Sequence, residues 1–225
     1  MRYYPAFLDL RGRSCLLVGA GAVGRRKLAT LLTCGPDRVL VLDPREPDEE
    51  LVRLLEGGPA EHLRRDFREE DVDGCALAFA CTGDAVLNAR VAAACAERGV
   101  FCNVADQPEA GSFVVPAHVE QGDLVCALST SGHSPALAKR IREDLQDYLG
   151  SRYENLLALM ARLRPLVLEL GQETPQNTAC FRALVDSELG DALNQGDRLR
   201  AEAALRRTLP RELHPRIGEL LHGLV

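Results

Sequence analysis

What the chain lacks narrows its function first. No two of its eight cysteines, at positions 15, 34, 75, 81, 95, 102, 126 and 180, form a CxxC pair. Several sit in apolar runs such as Cys75-Ala76-Leu77-Ala78-Phe79, where a free thiol behaves as a small hydrophobe. No apolar run approaches the roughly 18 residues of a membrane span, and no charged, apolar and small-residue leader opens the chain. A reducing cytoplasm is the expected setting, with no membrane partner. Positive charge is also short: 27 Lys and Arg stand against 33 Asp and Glu, a formal net charge of -6. That balance argues against long-range attraction to nucleic acid or an anionic bilayer, but not against a small anion in a local basic pocket. What remains is 225 residues, 46% of them apolar, enough for one nucleotide-binding domain and a smaller second unit.

The first hundred residues alternate between two periodicities. Buried-strand patterns occupy 14–18, 38–43, 75–81 and 101–104, with a weaker one around 62–65. Helix patterns occupy 22–33 and 84–98; in the first, Val23, Lys27, Leu28, Leu31 and Leu32 recur at spacings of three and four. Strands alternating with helices at these lengths predict an α/β, doubly wound Rossmann domain with a parallel sheet. After Asp106-Gln107-Pro108 the rhythm changes. Short strands are expected at 112–115, 118–120 and 124–129, with Gln121-Gly122-Asp123 turning between the last two. A helix then starts with Ser134 as N-cap and Pro135 in the first helical position, Leu137, Ile141 and Leu145 lining one face. From 152 onward the pattern is helical, with breaks near 171–175, Gly190 and Pro210.

Gly19-Ala20-Gly21-Ala22-Val23-Gly24 joins the first strand to the first helix. A GxGxxG run is a weak signal alone, but here strand, bend, amphipathic helix, second strand and acid follow in order. Gly19 permits the tight turn, Gly21 lets phosphate approach the backbone, and Gly24 lets helix and strand pack closely. Pyrophosphate then meets the unpaired N–H groups around Ala22 and Val23. Asp43, nineteen residues beyond Gly24, can accept hydrogen bonds from both ribose hydroxyls of NAD and repel the extra phosphate of NADP; Arg45 softens that preference. Thr82, at the end of the 75–81 strand, either bonds ribose or phosphate or belongs to a simple cap by Asp84.

Two further clusters carry chemistry. Asn103-Val104-Ala105-Asp106 leaves the last strand near the expected nicotinamide, where Asp106 either handles a proton or organises the turn before Pro108. Ser129-Thr130-Ser131-Gly132-His133-Ser134 is dense in donors, and Lys139, Arg140 and Arg142 follow it. Such a loop suits a substrate with several carboxylates. It makes a poor metal site, having one histidine and no ligand-spaced partner, so no protein-bound metal is expected.

Together these residues resemble a known family. Tyr4-Pro5-Ala6-Phe7-Leu8-Asp9-Leu10, the GAGAVG bend with Arg25-Arg26-Lys27, 103–108, Ser112-Phe113-Val114-Val115-Pro116 and 129–138 look like the dehydrogenase–ferrochelatase module of siroheme synthase. The same module occurs free-standing as precorrin-2 dehydrogenase, and the matching motifs span about residues 3 to 145. The resemblance implies oxidation of precorrin-2 to sirohydrochlorin with reduction of NAD, Asp106 being the catalytic base with His133 as a second candidate. It implies three regions: an NAD-binding Rossmann domain (1–111), a small α+β dimerisation and substrate-site region (112–149) and a helical subdomain (150–225). It further implies a homodimer with the active cleft between subunits. Asn103, Ser129, Thr130, Ser131, Gly132, Ser134 and Lys139 are then the expected substrate-binding set. A bifunctional alternative also inserts Fe2+, a substrate rather than a bound cofactor, into sirohydrochlorin. A nonenzymatic NAD-sensing regulator would share the fingerprint and acid but has no need of the 129–138 loop. Three departures stand out. Gly24 is often alanine in the family, Ser131-Gly132 replaces two glycines, and Thr130 stands where some bifunctional relatives have a phosphorylatable serine. No methyltransferase-like extension follows, so uroporphyrinogen methylation is not expected.

Overall fold

Four largely apolar runs and one half-polar segment build the parallel sheet of the computed structural model, which describes residues 2–171 and 173–225. Met1 and Gln172, which fall in the expected nucleotide domain and the expected break at 171–175, lie outside the described residues. The strands are β1 (Ser14–Val18), β2 (Arg38–Leu42), β3 (Ala60–Leu63), β4 (Cys75–Ala80) and β5 (Phe101–Val104), in the order β3-β2-β1-β4-β5. Their side chains alternate between two cores. Leu17, Val39 and Phe79 pack under Leu28 and Leu31 of α1 (Ala22–Thr33) and Leu51 of α2 (Glu49–Leu55). Leu16, Val18, Ala78 and Ala80 pack on the opposite face under Val91, Ala94 and Cys95 of α3 (Ala85–Glu97). Burial on both faces is why the strands read as nearly continuous apolar runs.

Three expectations need correction. β3 lies two residues earlier than 62–65, paired with β2 from Val39↔Ala60 to Leu42↔Leu63. The seven-residue α2 was not expected; it makes only two turns, and Asp48 caps it by accepting the Leu51 N–H at 3.0 Å. Residues 112–115 form no strand. Ser112 instead clips this segment onto β5, its N–H donating to the Cys102 carbonyl and its hydroxyl oxygen accepting the Cys102 N–H, both at 2.8 Å. Gly111 makes the approach feasible, since a Cβ there would stand 2.7 Å from the Cys102 oxygen.

The chain divides into two compact units, the first ending at Val115 and the second running from Pro116 to Val225. The second opens with an antiparallel hairpin, β6 (Ala117–Gln121) and β7 (Leu124–Leu128), turning at Gly122 with φ of 55°. Helix α4 (Pro135–Leu149) follows, with the Ser134 hydroxyl accepting the Leu137 N–H at 3.2 Å. The remainder comprises α5 (Glu154–Glu169), α6 (Thr174–Val185), α7 (Leu189–Asn194), α8 (Arg198–Thr208), a 3₁₀ turn at Arg211–Arg216 and α9 (Ile217–Leu220). They close around fully buried Leu159, Leu163, Leu184 and Leu205. The break expected at Gly190 falls just before α7, where the Ser187 hydroxyl accepts the Leu189 N–H at 3.2 Å and restarts the helix.

Candidate functional site

The strand order reverses between β1 and β4, and the loops leaving these two strands touch. Gly19, with φ of +92°, sits so close to the next loop that a Cβ would lie 2.8 Å from the Cys81 carbonyl and the Thr82 nitrogen. A Cβ on Gly24 would overlap the Gly19 carbonyl oxygen, so the two glycines bring α1 against the end of β1. Gly21 is the N-cap of α1, and no side chain caps it. Above Gly21 the nearest group to an added Cβ is the Arg45 guanidinium, at 3.8 Å. The N–H groups of Ala22 and Val23, in the exposed first turn, are thus left for an anion. Arg25 braces the bend from behind, donating to the Ala20 carbonyl at 3.2 Å and pairing with Asp48 at 2.8 Å.

Asp43 follows β2 and is only 4% exposed. One carboxylate oxygen accepts the Ala20 N–H at 2.8 Å and an Arg45 guanidinium N–H at 2.7 Å. The other accepts the Arg45 backbone N–H at 3.0 Å and the Arg45 Nε–H at 2.9 Å. The Arg45 guanidinium, helped by both backbone donors, holds the Asp43 carboxyl well below the usual carboxylate range despite burial. Asp43 is therefore an ionised acceptor at the end of β2, covered by an exposed guanidinium. A cleft of about 350 Å3 runs from Gly21 and Asp43 past Arg65 and Phe67 to Thr82 and Leu87. The glycine cradle, unclaimed helix-end amides and buried carboxylate along one cleft fit a dinucleotide.

Thr82 makes its contacts inward. Its hydroxyl lies 2.7 Å from Asn88 Oδ1 and accepts the Asp84 N–H at 3.1 Å, while the Asp84 carboxylate caps α3 through Val86 and Leu87. What Thr82 presents to the cleft is its position rather than a spare hydroxyl proton. Asp106 is exposed just beyond β5, and its Oδ1 accepts the Asn88 amide N–H at 3.2 Å. Asn103 is buried, and its amide donates to the Phe113 carbonyl at 3.0 Å, fastening the segment after Gly111. One residue escaped the sequence reading. Asn88 shares the buried face of α3 with Val91 and Cys95, so a polar residue at an apolar helical position was the available signal. Half-buried Lys27 of α1 stands over the Phe79 ring at 5.7 Å, and burial pulls its pKa down. Burial likewise pushes the Cys81 thiol up to about 11, Lys27 opposing and Asp106 adding to that rise.

In the second unit the 129–134 loop is held by its own side chains. The Ser131 N–H donates to the Ser129 hydroxyl at 3.1 Å, and Ser134 N–H to the Thr130 hydroxyl at 3.3 Å. Ser131 and Gly132 both take positive φ, 55° and 82°. That turns the chain so that exposed His133 holds its Nδ1 2.8 Å from the Thr130 carbonyl. The basic residues on α4 are locally balanced: Lys139 lies 3.9 Å from Glu143, Arg140 pairs with Asp144 at 3.0 Å, and Arg142 also meets Glu143. Among the described residues no group of three His, Cys, Asp or Glu side chains is placed to hold a metal ion. No described helix is long and apolar enough to cross a membrane.

Comparison with known proteins agrees with this geometry. Residues 6–117 match the family described as putative NAD(P)-binding. Siroheme synthase of Pseudomonas paraeruginosa is 37% identical over 221 residues, 98% of this chain and 47% of that protein. Siroheme synthase of Azotobacter vinelandii is 33% identical over 220 residues, with the same coverage of each. The chain thus spans about half the length of these relatives. Among solved structures, SirC, a precorrin-2 dehydrogenase, superposes with a TM-score of 0.74 at 25% identity, over 92% of this chain and 98% of that one. By sequence the chain is similar along nearly its whole length to about half of siroheme synthase, by fold it is similar to a precorrin-2 dehydrogenase, and its N-terminal end carries a putative NAD(P)-binding domain.

Proposed function

We propose that the protein oxidises precorrin-2 to sirohydrochlorin, with NAD as hydride acceptor and Asp106 as base. The observation that carries this is the link from Asp106 through the Asn88 amide to Thr82, which lines the cleft at the carboxyl edge of β4. When bound, the nicotinamide accepts a hydride. The macrocycle loses one further hydrogen as a proton, and the Asp106 carboxylate, open to solvent, receives it and hands it to water. One well-placed base is worth about 10²- to 10⁴-fold in rate. Asp43, ionised and buried, supports NAD over NADP, because a ribose 2′-phosphate there would meet a carboxylate.

The donors at Ser129, Thr130, Ser131, Gly132 and Ser134, with Lys139, are assigned to recognition of the macrocycle's carboxylates; Asn103 acts by anchoring the 111–115 segment. His133 is assigned a supporting role in proton transfer. Residues 112–149 are read as the substrate and dimerisation region. Leu137 is 52% exposed and Ile141 37%, four residues apart on α4, and such an apolar stripe suits a second copy of the chain. All eight cysteines are free, which suits a reducing cytoplasm. The relatives named siroheme synthase favour a second reading on the same carboxylate: insertion of Fe2+, a substrate, into the sirohydrochlorin product.

The test is turnover of precorrin-2 with NAD+ by the wild type and by Asp106→Asn, followed by NADH absorbance. A loss of at least about 100-fold in kcat is expected. Unchanged turnover in the variant removes Asp106 as the base, and no turnover by folded wild-type protein removes the enzyme assignment. Adding sirohydrochlorin and Fe2+ in a second cuvette decides the chelatase reading by its absorption spectrum.

A further inference from the structure

We propose that Asn88 is the positioning residue of this site, one buried amide that fixes the Asp106 carboxylate relative to the dinucleotide loop at Thr82. The proposal rests on reading Asp106 as the base. Asn88 lies in the first turn of α3 and is 2% exposed. Its Oδ1 accepts the Thr82 N–H at 3.1 Å and the Thr82 hydroxyl at 2.7 Å. Its Nδ2 donates to the Thr82 carbonyl at 3.0 Å and to Asp106 Oδ1 at 3.2 Å. These four contacts use the amide's full capacity, two donors and two lone pairs. The partners also fix which end is which: a backbone N–H only donates, whereas a carbonyl and an ionised carboxylate only accept.

Thr82 alone would satisfy three of those four bonds. The fourth reaches from the α3 end of β4 across to an exposed carboxylate beyond β5, which gains no burial from it. Its effect is geometric. Thr82 lines the cleft and its N–H borders Gly19, so the amide ties the base to the wall against which the dinucleotide lies. A base displaced by about 1 Å from its working position loses on the order of 100-fold in rate, so such a tether acts on kcat.

Asn88→Asp is the informative variant. It keeps the shape and the acceptor for the Thr82 N–H and hydroxyl, and sets an oxygen against both Asp106 and the Thr82 carbonyl where the N–H groups had been. The expected result is an NAD+ Kd and a precorrin-2 KM within about threefold of wild type, with kcat lower by about tenfold or more. The exchanged pair, Asn88→Asp with Asp106→Asn, restores a donor facing an acceptor between these two residues, while the Thr82 carbonyl stays opposed by an oxygen in both variants. Its thermal midpoint is expected to recover at least half of what Asn88→Asp loses, while turnover stays absent. Folded Asn88→Asp with kcat within about twofold of wild type, or thermal effects of the two substitutions that simply add, overturns the proposal. If Asn88→Asp does not fold, Asn88→Ala carries the same comparison of kcat with KM and Kd. Asp106→Asn with wild-type turnover defeats the base reading, and the thermal cycle still reads the 88–106 contact. Inactive Asp106→Asn beside fully active Asn88→Asp defeats only the role given to Asn88.

Discussion

Replacing Asp43 by alanine probes the fold and the cofactor site together. In the folded protein the Ala20 N–H is buried, and the Asp43 carboxylate is its acceptor. Alanine leaves that donor unsatisfied, at a cost of ~1–3 kcal/mol. The pair with Arg45 adds little, because the arginine side chain is 70% exposed and exposed pairs contribute about 0–1 kcal/mol. Taking ~2 kcal/mol, a chain of this size loses roughly 4 to 8 °C in Tm. The cofactor effect is separate. Two ribose hydroxyls lose a charged acceptor worth ~1.5 kcal/mol or more each, offset by no longer having to displace the Arg45 guanidinium. A net of ~2 kcal/mol corresponds to about a 30-fold weaker Kd for NAD+, measured by isothermal titration calorimetry. NADP+ gains relative to NAD+, since the repulsive carboxylate is gone. The stability gap also has a pH signature. Asp43 titrates lower in the folded state than its unfolded value of about 3.9, so its contribution is fully present well above that value. The contribution declines as pH falls through the unfolded value and toward the folded one, and the two midpoints converge in acid. An NAD+ Kd within about threefold of wild type, or a gap in Tm that widens on acidification, would refute the reasoning.

Gly24→Ala places a methyl group on the Gly19 carbonyl, so α1 must move away from β1. Overpacking of ~1–3 kcal/mol is expected, together with about tenfold weaker NAD+ binding; thermal unfolding and calorimetry check both. Unaltered values would mean that the turn relaxes freely. Ile141→Glu places a charge in the exposed apolar stripe of α4 and is expected to shift the protein to monomer in sedimentation equilibrium, with its circular dichroism unchanged. A dimer that persists at the same concentration would reject that face as the interface.

The strands and helices of the first unit could be read along the chain because each is buried in its own local period. β1, α1 and β5 begin and end where apolar spacing, Gly19 and Gly35 place them. The glycine fingerprint and Asp43 were legible for the same reason: their chemistry depends on backbone freedom and order along one βαβ segment. Where local signals ran out, the reading slipped. α2 makes only two turns, and 112–115 looked like a strand because its residues favour extension, although a serine hydroxyl supplies the hydrogen bond instead.

The sequence by itself determined the fold class and the location of the glycine turn, since adjacency and periodicity suffice for both; at Asp106 they left a proton-handling role and a turn-forming role open, and only the family resemblance favoured the first. Only the tertiary structure decided what those groups touch. Arg45 closes over Asp43, the loops after β1 and β4 meet at Gly19, and Asn88 joins Thr82 to Asp106, which lies eighteen residues further along the chain than Asn88. Hydrogen bonds between distant segments leave no period behind. They exist because parallel strands bring their carboxyl ends to one edge, and no residue pattern along the chain records which side chains meet there.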